Sequence, residues 1–222
     1  MARRILGTVF QTLDGVMQAP GGQSEDPTGG FDLGGWQFGF SDEEVGEAIG
    51  ESLRSGYALL LGRRTYDIFA AYWPYHDGEN REIAQAFDAA EKLVMTRSDM
   101  PLKWAGSRRV GGFDELAEIG AGDGPDIQIW GSSTLYPGLI ERGLLDRLTL
   151  LTYPLVLGRG KRLFGKDTPP VTMRLQQGKL TARGTSVATF VPDPGVALGS
   201  SPPSPSNPRE QERQRLISEG NW

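Results

Sequence analysis

The chain has 222 residues, with 23 basic and 28 acidic side chains and a formal net charge of −5 at pH 7. This length suits one domain with an appendage or two small domains, and the acidic balance argues against a nucleic-acid-binding protein. With no cysteine and only one histidine, His76, the sequence excludes disulfides, thiolate catalysis and a cysteine- or histidine-based metal site. No apolar run approaches membrane-span length, so we expect a cytoplasmic protein without metal, nucleic-acid or membrane partners.

The first predicted elements surround a long aperiodic segment. A strand over residues 4–10 ends at an Asp-Gly turn signal, and residues 19–40 have no periodicity, as is typical of a lid, a binding loop or disorder. A helix over residues 41–56 follows, with Ser41 as N-cap, Glu44 at capping-box spacing and Gly56 as C-cap. Residues 57–62 then form a buried strand and residues 63–71 a helix.

Strands and helices continue to alternate after residue 80. We expect a helix over 80–91, a strand over 92–96, a second Gly-rich stretch, a strand over 126–131 and a helix over 133–145 with Pro137 in its first turn. A long strand over 146–158, irregular at Pro154, precedes two antiparallel closing strands over 171–180 and 185–192. The pattern predicts an α/β fold with a mostly parallel sheet and an antiparallel edge.

The composition changes at Asp193, where Pro and Ser, and then charged residues, replace apolar ones. This change predicts a domain over residues 1–192 and a flexible tail over 193–222, with a short helix over 209–219. We interpret the tail as solvated. The alternative is a tail that docks on a partner subunit through Leu216, Ile217 and Trp222.

Hydroxyls, small residues and arginines follow three of the predicted strands. The groups are Gly62, Arg63, Arg64 and Thr65; Thr96, Arg97 and Ser98; and Gly131, Ser132, Ser133, Thr134 and Leu135. Helix N-termini attract anions, glycine permits close approach to backbone, and arginine binds phosphate in a bidentate manner. The first group alone is equally typical of a capped surface helix. Because strand carboxyl ends meet along one sheet edge, the three together predict a dinucleotide phosphate site.

The type of cofactor follows from what the motifs contain. The chain has neither a G-x-G-x-x-G fingerprint nor a phosphate loop with GKS/T, which argues against an ordinary dinucleotide-binding dehydrogenase or a P-loop NTPase. Arginines stand in two of the three groups, and arginine is the residue that typically accommodates a 2′-phosphate. The sequence therefore favours NADPH over NADH.

Four segments together resemble the dihydrofolate reductase superfamily: "TLDGVM", "LLLGRRTYDIF", "KLVMTRSD" and "IQIWGSSTLYPGLIERGLLDRLTLLTYPLVLGRGKRLF". The resemblance covers residues 3 to 191. It is closer to the branch that holds the reductase domain of bifunctional riboflavin-biosynthesis enzymes and stand-alone "dihydrofolate reductase family" proteins. It implies a sheet of about eight strands with helices on both faces, a homodimer, and NADPH phosphates bound by the three groups. The family has a Gly-Gly peptide, often cis, where this chain has Gly131-Ser132; a cis bond here is costly.

The resemblance also implies candidate catalytic carboxylates, since hydride transfer to a C=N bond requires a proton on the ring nitrogen. Glu44 and Glu47 lie on the helix that carries the substrate-orienting carboxylate in the family, although their spacing also suits a solvated face. Asp14 stands beside the expected nicotinamide pocket. Its alternative role is that of a turn residue in Asp-Gly.

Aromatic residues supply the candidate substrate contacts. Trp36 and Phe38 in the long loop are candidates to cover a flat heteroaromatic substrate, with the alternative that they anchor the loop. Tyr72 and Trp73 are candidates for a substrate wall, and we interpret His76 nearby as a surface residue.

The resulting expectation is an NADPH-dependent reductase that transfers a hydride to a small heterocyclic C=N or C=O substrate, pterin- or pyrimidine-like. The alternatives are a non-catalytic nucleotide-binding or scaffold protein and an enzyme of a non-redox step on the same fold. Neither the riboflavin-pathway substrate nor folate carries over, because the "SEDPTGGFDLGG" loop and the missing arginine for a glutamate tail depart from those patterns.

Overall fold

The computed structural model describes residues 2–53, 56–78, 80–199 and 207–221. The strands are β1 (Ile5–Thr12), β2 (Tyr57–Gly62), β3 (Glu91–Met95), β4 (Ser107–Val110), β5 (Asp126–Trp130), β6 (Arg147–Tyr153), β7 (Val171–Leu180) and β8 (Ser186–Pro194). The helices are α1 (Glu43–Leu53), α2 (Arg63–Tyr72), α3 (Arg81–Ala89), α4 (Phe113–Ala121), α5 (Tyr136–Glu141) and α6 (Pro208–Ser218).

All eight strands belong to one sheet in the order β4-β3-β2-β5-β1-β6-β8-β7. The pairs among β4, β3, β2, β5, β1 and β6 are parallel, whereas β8 pairs antiparallel with both β6 and β7. The predicted α/β architecture, a mostly parallel sheet with an antiparallel C-terminal edge, is confirmed. The carboxyl ends of β2 and β5 are neighbours because these two strands pair directly.

Helices cover both faces of the sheet. On one face, Ala58 and Leu60 of β2 pack with Leu116 of α4 and with Tyr136 and Leu139 of α5. On the opposite face, alternate residues of the same strands pack against α1, α2 and α3, through Val45, Tyr66 and Phe87. The central strand "YALLLG" is buried at every position, which explains why it reads as a continuous apolar run rather than an alternating one.

Two elements were missing from the sequence prediction. The Gly-rich stretch after β3 contains β4, whose Arg108 and Arg109 are exposed, and α4, which starts at Phe113 directly after Gly111-Gly112. Charged residues in a short edge strand and flanking glycines hide the periodicity that normally indicates a strand.

Several predicted boundaries were wrong by a few residues. Asp42, not Ser41, caps α1, because its carboxylate accepts a hydrogen bond from Val45 N at 2.9 Å. The last described residue of α1 is Leu53, and residues 54–55 lie outside the described residues. Strand β6 ends at Tyr153 rather than passing through Pro154, since proline has no N–H to donate to the ladder.

The segment over residues 19–40 is a packed loop with two short 3-10 turns, not a structureless one. Phe31 and Trp36 are buried in it. The Gln18 side-chain amide donates to the carbonyls of residues 26 and 28 at 2.9 Å, and its oxygen accepts from Lys161 N at 3.0 Å. The Lys161 ammonium also pairs with Asp26. These contacts anchor the loop to the segment that follows β6.

Two further expectations concern the C-terminal tail and membrane-spanning helices. A helix forms in the tail close to the predicted residues, but Trp222 and residues 200–206 lie outside the described residues, so the tail's role stays a prediction. Within the described ranges, none of the helices has the length and apolar character needed to cross a bilayer.

The close packing of the 19–40 loop predicts opposite outcomes for two of its glycines. A Cβ on Gly34 would lie 2.3 Å from the carbonyl oxygen of Gly22, whereas a Cβ on Gly39 would meet no atom within 4 Å. We expect Gly34→Ala to lower the free energy of unfolding by about 1–3 kcal/mol, as overpacking does. Gly39→Ala is the control and should leave it nearly unchanged. Urea unfolding of both variants measures the difference, and equal stability would contradict a packed loop.

Candidate functional site

The carboxyl ends of β2 and β5 are joined by the hydroxyl of Ser132. Its Oγ accepts a hydrogen bond from Gly62 N at 2.7 Å and donates one to Thr65 Oγ1 at 2.8 Å. Gly62 is the last residue of β2 and Thr65 lies in the first turn of α2, whereas Ser132 follows β5. Two of the three predicted anion-binding groups are therefore in direct contact.

Two glycines make this contact sterically feasible. A Cβ on Gly62 would lie 2.9 Å from Ser132 Oγ, and a Cβ on Gly131 would lie 3.0 Å from Thr65 Cγ2. Gly131 and Ser132 have φ of +79° and +60°, a region that a non-glycine residue rarely adopts. The described residues have only trans peptides, so the Gly131–Ser132 bond is trans. In this structure the two glycines allow the end of β2 and the turn after β5 to lie in contact.

The remaining residues of the third group turn into α5. Leu135 N donates to Ser132 O at 2.9 Å, and the Leu135 side chain is buried in the core. Ser133 is half-buried and Thr134 is exposed. A bound ligand would therefore meet the backbone and hydroxyls of this turn, not the Leu135 side chain.

The predicted anion-binding group after β3 forms a turn that is held by the hydroxyls of its own Thr96 and Ser98. Thr96 Oγ1 accepts from Ser98 N at 3.0 Å, and Ser98 Oγ accepts from Met100 N at 3.2 Å. Thr96 is buried and Arg97 is exposed. The hydroxyls thus fix the turn, and the guanidinium of Arg97 stays at the surface.

Arginine side chains connect this turn to α2 and β4. Arg63 Nη1 and Arg109 Nη2 each donate to the carbonyl oxygen of Met100 at 3.2 Å. Arg63 also pairs with Asp67 at 2.9 Å, and Arg64 is exposed. Arg109 was not among the predicted site residues, because the strand that carries it was not predicted. The sequence signal that could have found it is the pair of adjacent arginines in the "SRRV" segment. The structure places this segment in the strand next to β3, which Arg97 follows.

A buried lysine and a tryptophan hold the rest of the loop before β4. Lys92 Nζ donates to the carbonyls of Asp88 at 2.6 Å and Ala105 at 2.9 Å and lies 4.3 Å from the Trp104 ring centroid. Burial lowers the pKa of this ammonium. Trp104 N donates to the Tyr66 hydroxyl at 2.8 Å, which ties the loop to α2. These packed side chains thus support the turn that carries Arg97 and the loop that follows it.

Asp14 is engaged in structural contacts at the end of β1. The Thr12 hydroxyl donates to its carboxylate at 2.6 Å, as do Leu157 N at 3.2 Å, Gly158 N at 2.9 Å and Arg162 Nη2 at 3.1 Å. The Thr12 hydrogen bond above all, with those of the other donors, lowers the pKa of Asp14 to about 2, against the opposing effect of burial. Asp14 is therefore ionised at neutral pH.

Glu44 and Glu47 point to the hairpin between β7 and β8. Glu44 Oε2 accepts from Ala182 N at 2.8 Å, and Glu47 lies 3.5 Å from the Lys179 ammonium. The capping-box role expected for Glu44 was wrong, because its carboxylate binds the hairpin. Both glutamates lie on the side of α1 that faces this hairpin.

Two of the four aromatic candidates, Trp36 and Trp73, are the ends of one row of rings across the sheet face. Neighbouring centroids lie 5.0–6.2 Å apart. In order along the row, the rings are Trp36, Tyr153, Phe10, Trp130, Phe87 and Trp73. Only the two terminal members were predicted from the sequence, because the other four lie in strands and a helix, where their pattern is typical of core residues.

The members of the two aromatic pairs differ in burial. The Trp36 indole N–H donates to Gln18 O at 2.9 Å, and Trp36 is buried, whereas Phe38 is 60% exposed. Trp73 packs edge-on against Phe87, and Tyr72 is exposed and stacks on the His76 ring at 4.9 Å. Trp36 therefore anchors the loop, the alternative that the sequence left open, and its direct contact with a substrate stays a prediction.

Comparison with known proteins gives one family and several related folds. The family described as RibD C-terminal domain matches residues 3–189. The Bacillus subtilis (strain 168) protein YyaP is 26% identical over 169 residues, which is 73% of this chain and 80% of YyaP.

Two solved structures show the same fold. One is a putative riboflavin biosynthesis protein from Shewanella sp. PV-4, with a TM-score of 0.62, 17% identity, and coverage of 87% of this chain and 99% of that one. The other is a dihydrofolate reductase from Enterococcus faecalis complexed with NADP(H) and RAB-propyl, with a TM-score of 0.52, 14% identity, and the same coverage of both chains. The fold is therefore dihydrofolate reductase-like.

The contacts of Asp14 predict a pH-dependent contribution to stability. Because its pKa in the folded state, about 2, is below the usual 3.8, the contribution is complete above pH 4 and lost as pH falls through 2. We expect Asp14→Asn to lower the free energy of unfolding by about 1–2 kcal/mol at pH 7. The difference from wild type should shrink between pH 4 and 2 in urea titrations. Asp167→Asn, at an exposed carboxylate, is the control; a pH-independent difference would contradict this role of Asp14.

Proposed function

Because the chain belongs to the family of RibD C-terminal domains, we propose that it is an NADPH-dependent reductase. In this proposal it transfers a hydride to a C=N or C=O bond of a small heterocycle, pterin- or pyrimidine-like. Family membership and the shared fold support a reductase-type domain.

The observation that carries the proposal is the contact between the strand ends. Gly62, Thr65 and Ser132 meet within hydrogen-bond distance at the carboxyl edge of two adjacent parallel strands, where open α/β sheets bind nucleotides. The first amides of α2 start at the same point and attract an anion. The cofactor pyrophosphate would lie here, between α2 and the turn after β5.

The arginines beside this edge fit a second phosphate. Arg63 and Arg109 converge on one carbonyl oxygen, that of Met100, and Arg97 lies three residues before it in the chain. Like charges brought this close repel each other, and an anion bound between them relieves the repulsion. A 2′-phosphate would supply that anion, which is why we propose NADPH and not NADH.

In this proposal the three candidate carboxylates contribute structure, and a catalytic role for Asp14, Glu44 or Glu47 stays a prediction. Asp14 is held ionised by its four donors and positions the turn after β1, and Glu44 and Glu47 bind the β7–β8 hairpin. The hydride is supplied by the nicotinamide when the cofactor is bound. The protein's own contribution is to orient the cofactor and to line the face of the sheet with the aromatic row, which excludes water from the reacting atoms.

The engagement of all three carboxylates also favours the alternative of a nucleotide-binding protein without turnover. The two proposals differ in one measurable property. Both require cofactor binding, and only the first requires oxidation of NADPH.

Arginine replacement tests the 2′-phosphate site. We expect Arg109→Ala and Arg97→Ala each to weaken NADPH binding about tenfold or more, because a charge-assisted hydrogen bond contributes roughly 1.5–3 kcal/mol. NADH binding should be unchanged in both variants. Calorimetric titration with each cofactor measures the two dissociation constants.

Arg108→Ala is the matched control for Arg109→Ala, since Arg108 pairs with Glu91 at 2.9 Å and with Glu115 at 3.8 Å. It should leave both affinities unchanged. If wild type binds neither cofactor, the reductase proposal fails. If Arg108→Ala weakens NADPH as much as Arg109→Ala, the effect reflects general surface charge and not a phosphate site.

A turnover assay separates the reductase from its alternatives. We expect loss of NADPH absorbance when wild type is mixed with members of a panel of oxidised pterins and pyrimidines. Binding of NADPH without oxidation by any member would favour the non-catalytic protein or a non-redox step. The homodimer stays a prediction, which light scattering of the purified chain checks.

A further inference from the structure

The last three strands of the sheet, β6, β8 and β7, carry different kinds of residues on their two faces. Residues that pair across an antiparallel ladder share a face, so the pairing register assigns each residue to one side. One side of these three fully described strands has no charged residue, and we call it the uncharged face. Its apolar members include Leu150, Met173, Leu175, Leu180, Ala188 and Phe190.

The charged residues of β7 and β8 all lie on the opposite face. Arg174, Lys179 and Asp193 each pair with a residue of that face. Val187, the partner of Lys179, is buried there with Val45 of α1. The polar side of β7 is therefore on the face that a helix covers, the reverse of the usual arrangement, in which an antiparallel strand turns its apolar side to the core.

The uncharged face is left open by the described part of the chain. The helices on this side of the sheet, α4 and α5, pack on the central strands as far as Leu148 of β6. Beyond β6, Leu175 is 58% exposed and Leu180 is 70% exposed, and Phe190 beside Leu175 is half-buried. Apolar side chains that adjoin one another at a protein surface mark an interaction site.

The C-terminal helix α6 does not suit this face as a cover. Its charged residues lie on every side of the helix and pair with one another, Arg213 with Glu210 and Arg215 with both Glu212 and Glu219. Docking α6 on the uncharged face would remove water from these ion pairs, and the helix has no apolar stripe to bury there.

A second copy of the uncharged face is complementary to the first. A two-fold interface brings the same patch of both partners together, so a charge near its axis would lie opposite a like charge. This face brings no charge into such an interface, and two antiparallel sheets with apolar inner faces pack stably about 10 Å apart. The lack of charge thus favours a copy of the chain over a partner with a charged docking surface.

We propose that the uncharged face is the interface of a two-fold homodimer, in which the faces of the two copies pack against each other. Leu175 and Phe190, which pair near the middle of β7, lie at its centre. The proposal goes beyond the proposed reductase activity and is tested without cofactor.

Sedimentation velocity of the full chain over a series of concentrations tests the proposal. We expect wild type to sediment with the mass of two chains. Leu175→Glu places a carboxylate from each copy in the buried interface and should raise the dissociation constant of the dimer at least tenfold. Because Leu175 is exposed in the single chain, the substitution should leave the fold intact.

Gln177→Glu is the matched control, since it adds the same charge to the same strand at an exposed position of the opposite face. It should form the dimer as wild type does. Circular dichroism checks that the variants fold. If Leu175→Glu does not fold, Leu180→Glu repeats the test on the same face.

Thiol labelling locates the interface without adding charge. The chain has no cysteine, so Leu175→Cys and Gln177→Cys each carry a single thiol. At a concentration where the protein is dimeric, we expect the thiol of Leu175→Cys to react with a maleimide at least tenfold more slowly than that of Gln177→Cys. The two rates should converge on dilution to the monomer.

Four results would overturn the proposal. They are a wild type that is monomeric at every concentration, a folded Leu175→Glu or Leu180→Glu that dimerises as wild type does, a control that dissociates as much as Leu175→Glu, and equal labelling of the two thiols in the dimer.

Discussion

The hydrogen bonds of one serine hydroxyl determine how the central strands of this protein end. Ser132 Oγ accepts from Gly62 N and donates to Thr65 Oγ1, and so connects the end of β2, the start of α2 and the turn after β5. The connection requires glycine at positions 62 and 131, because a side chain at either one would collide with its neighbour across the gap. Through it, α2 and the turn before α5 are positioned side by side, and the proposed pyrophosphate contacts depend on that arrangement.

Around this junction the protein concentrates positive charge that its overall composition does not show. The chain is acidic as a whole, yet Arg63 and Arg109 meet at the Met100 carbonyl. Below them, Lys92 and Trp104 hold the loop that Met100 belongs to. Local recognition of an anion is therefore compatible with a net charge of −5, because electrostatic interactions at contact distance exceed the screened field of distant charges.

The face of the sheet under α1 to α3 combines two unlike surfaces. Toward the carboxyl ends it carries the row of aromatic rings from Trp36 to Trp73, and toward the amino ends it carries Thr8, Gln128, Thr149 and Thr189. The strands place both surfaces on the same face because side chains two residues apart in a strand point the same way. Phe10 and Thr8 of β1 are such a pair, one in each surface.

Local sequence patterns by themselves determined the fold class and the three groups after β2, β3 and β5. The continuous apolar run "YALLLG" indicates a strand buried on both faces, and a glycine followed by hydroxyls and arginines indicates a strand-to-helix junction, since both signals depend on neighbours in the chain. Local patterns did not predict β4, because that strand is short and charged. They also did not predict the packing of the 19–40 loop, which has no periodicity although Phe31 and Trp36 are buried.

Only the tertiary structure decided which residues meet. Strand order places β1 between β5 and β6, and this order brings Thr8 beside Thr149 and Leu6 beside Gln128. It also places Arg109 next to the turn that carries Arg97, and it directs Asp14, Glu44 and Glu47 to structural partners in distant segments. Periodicity reports burial along one element, whereas these contacts depend on pairing between segments far apart in the chain, which no local pattern contains.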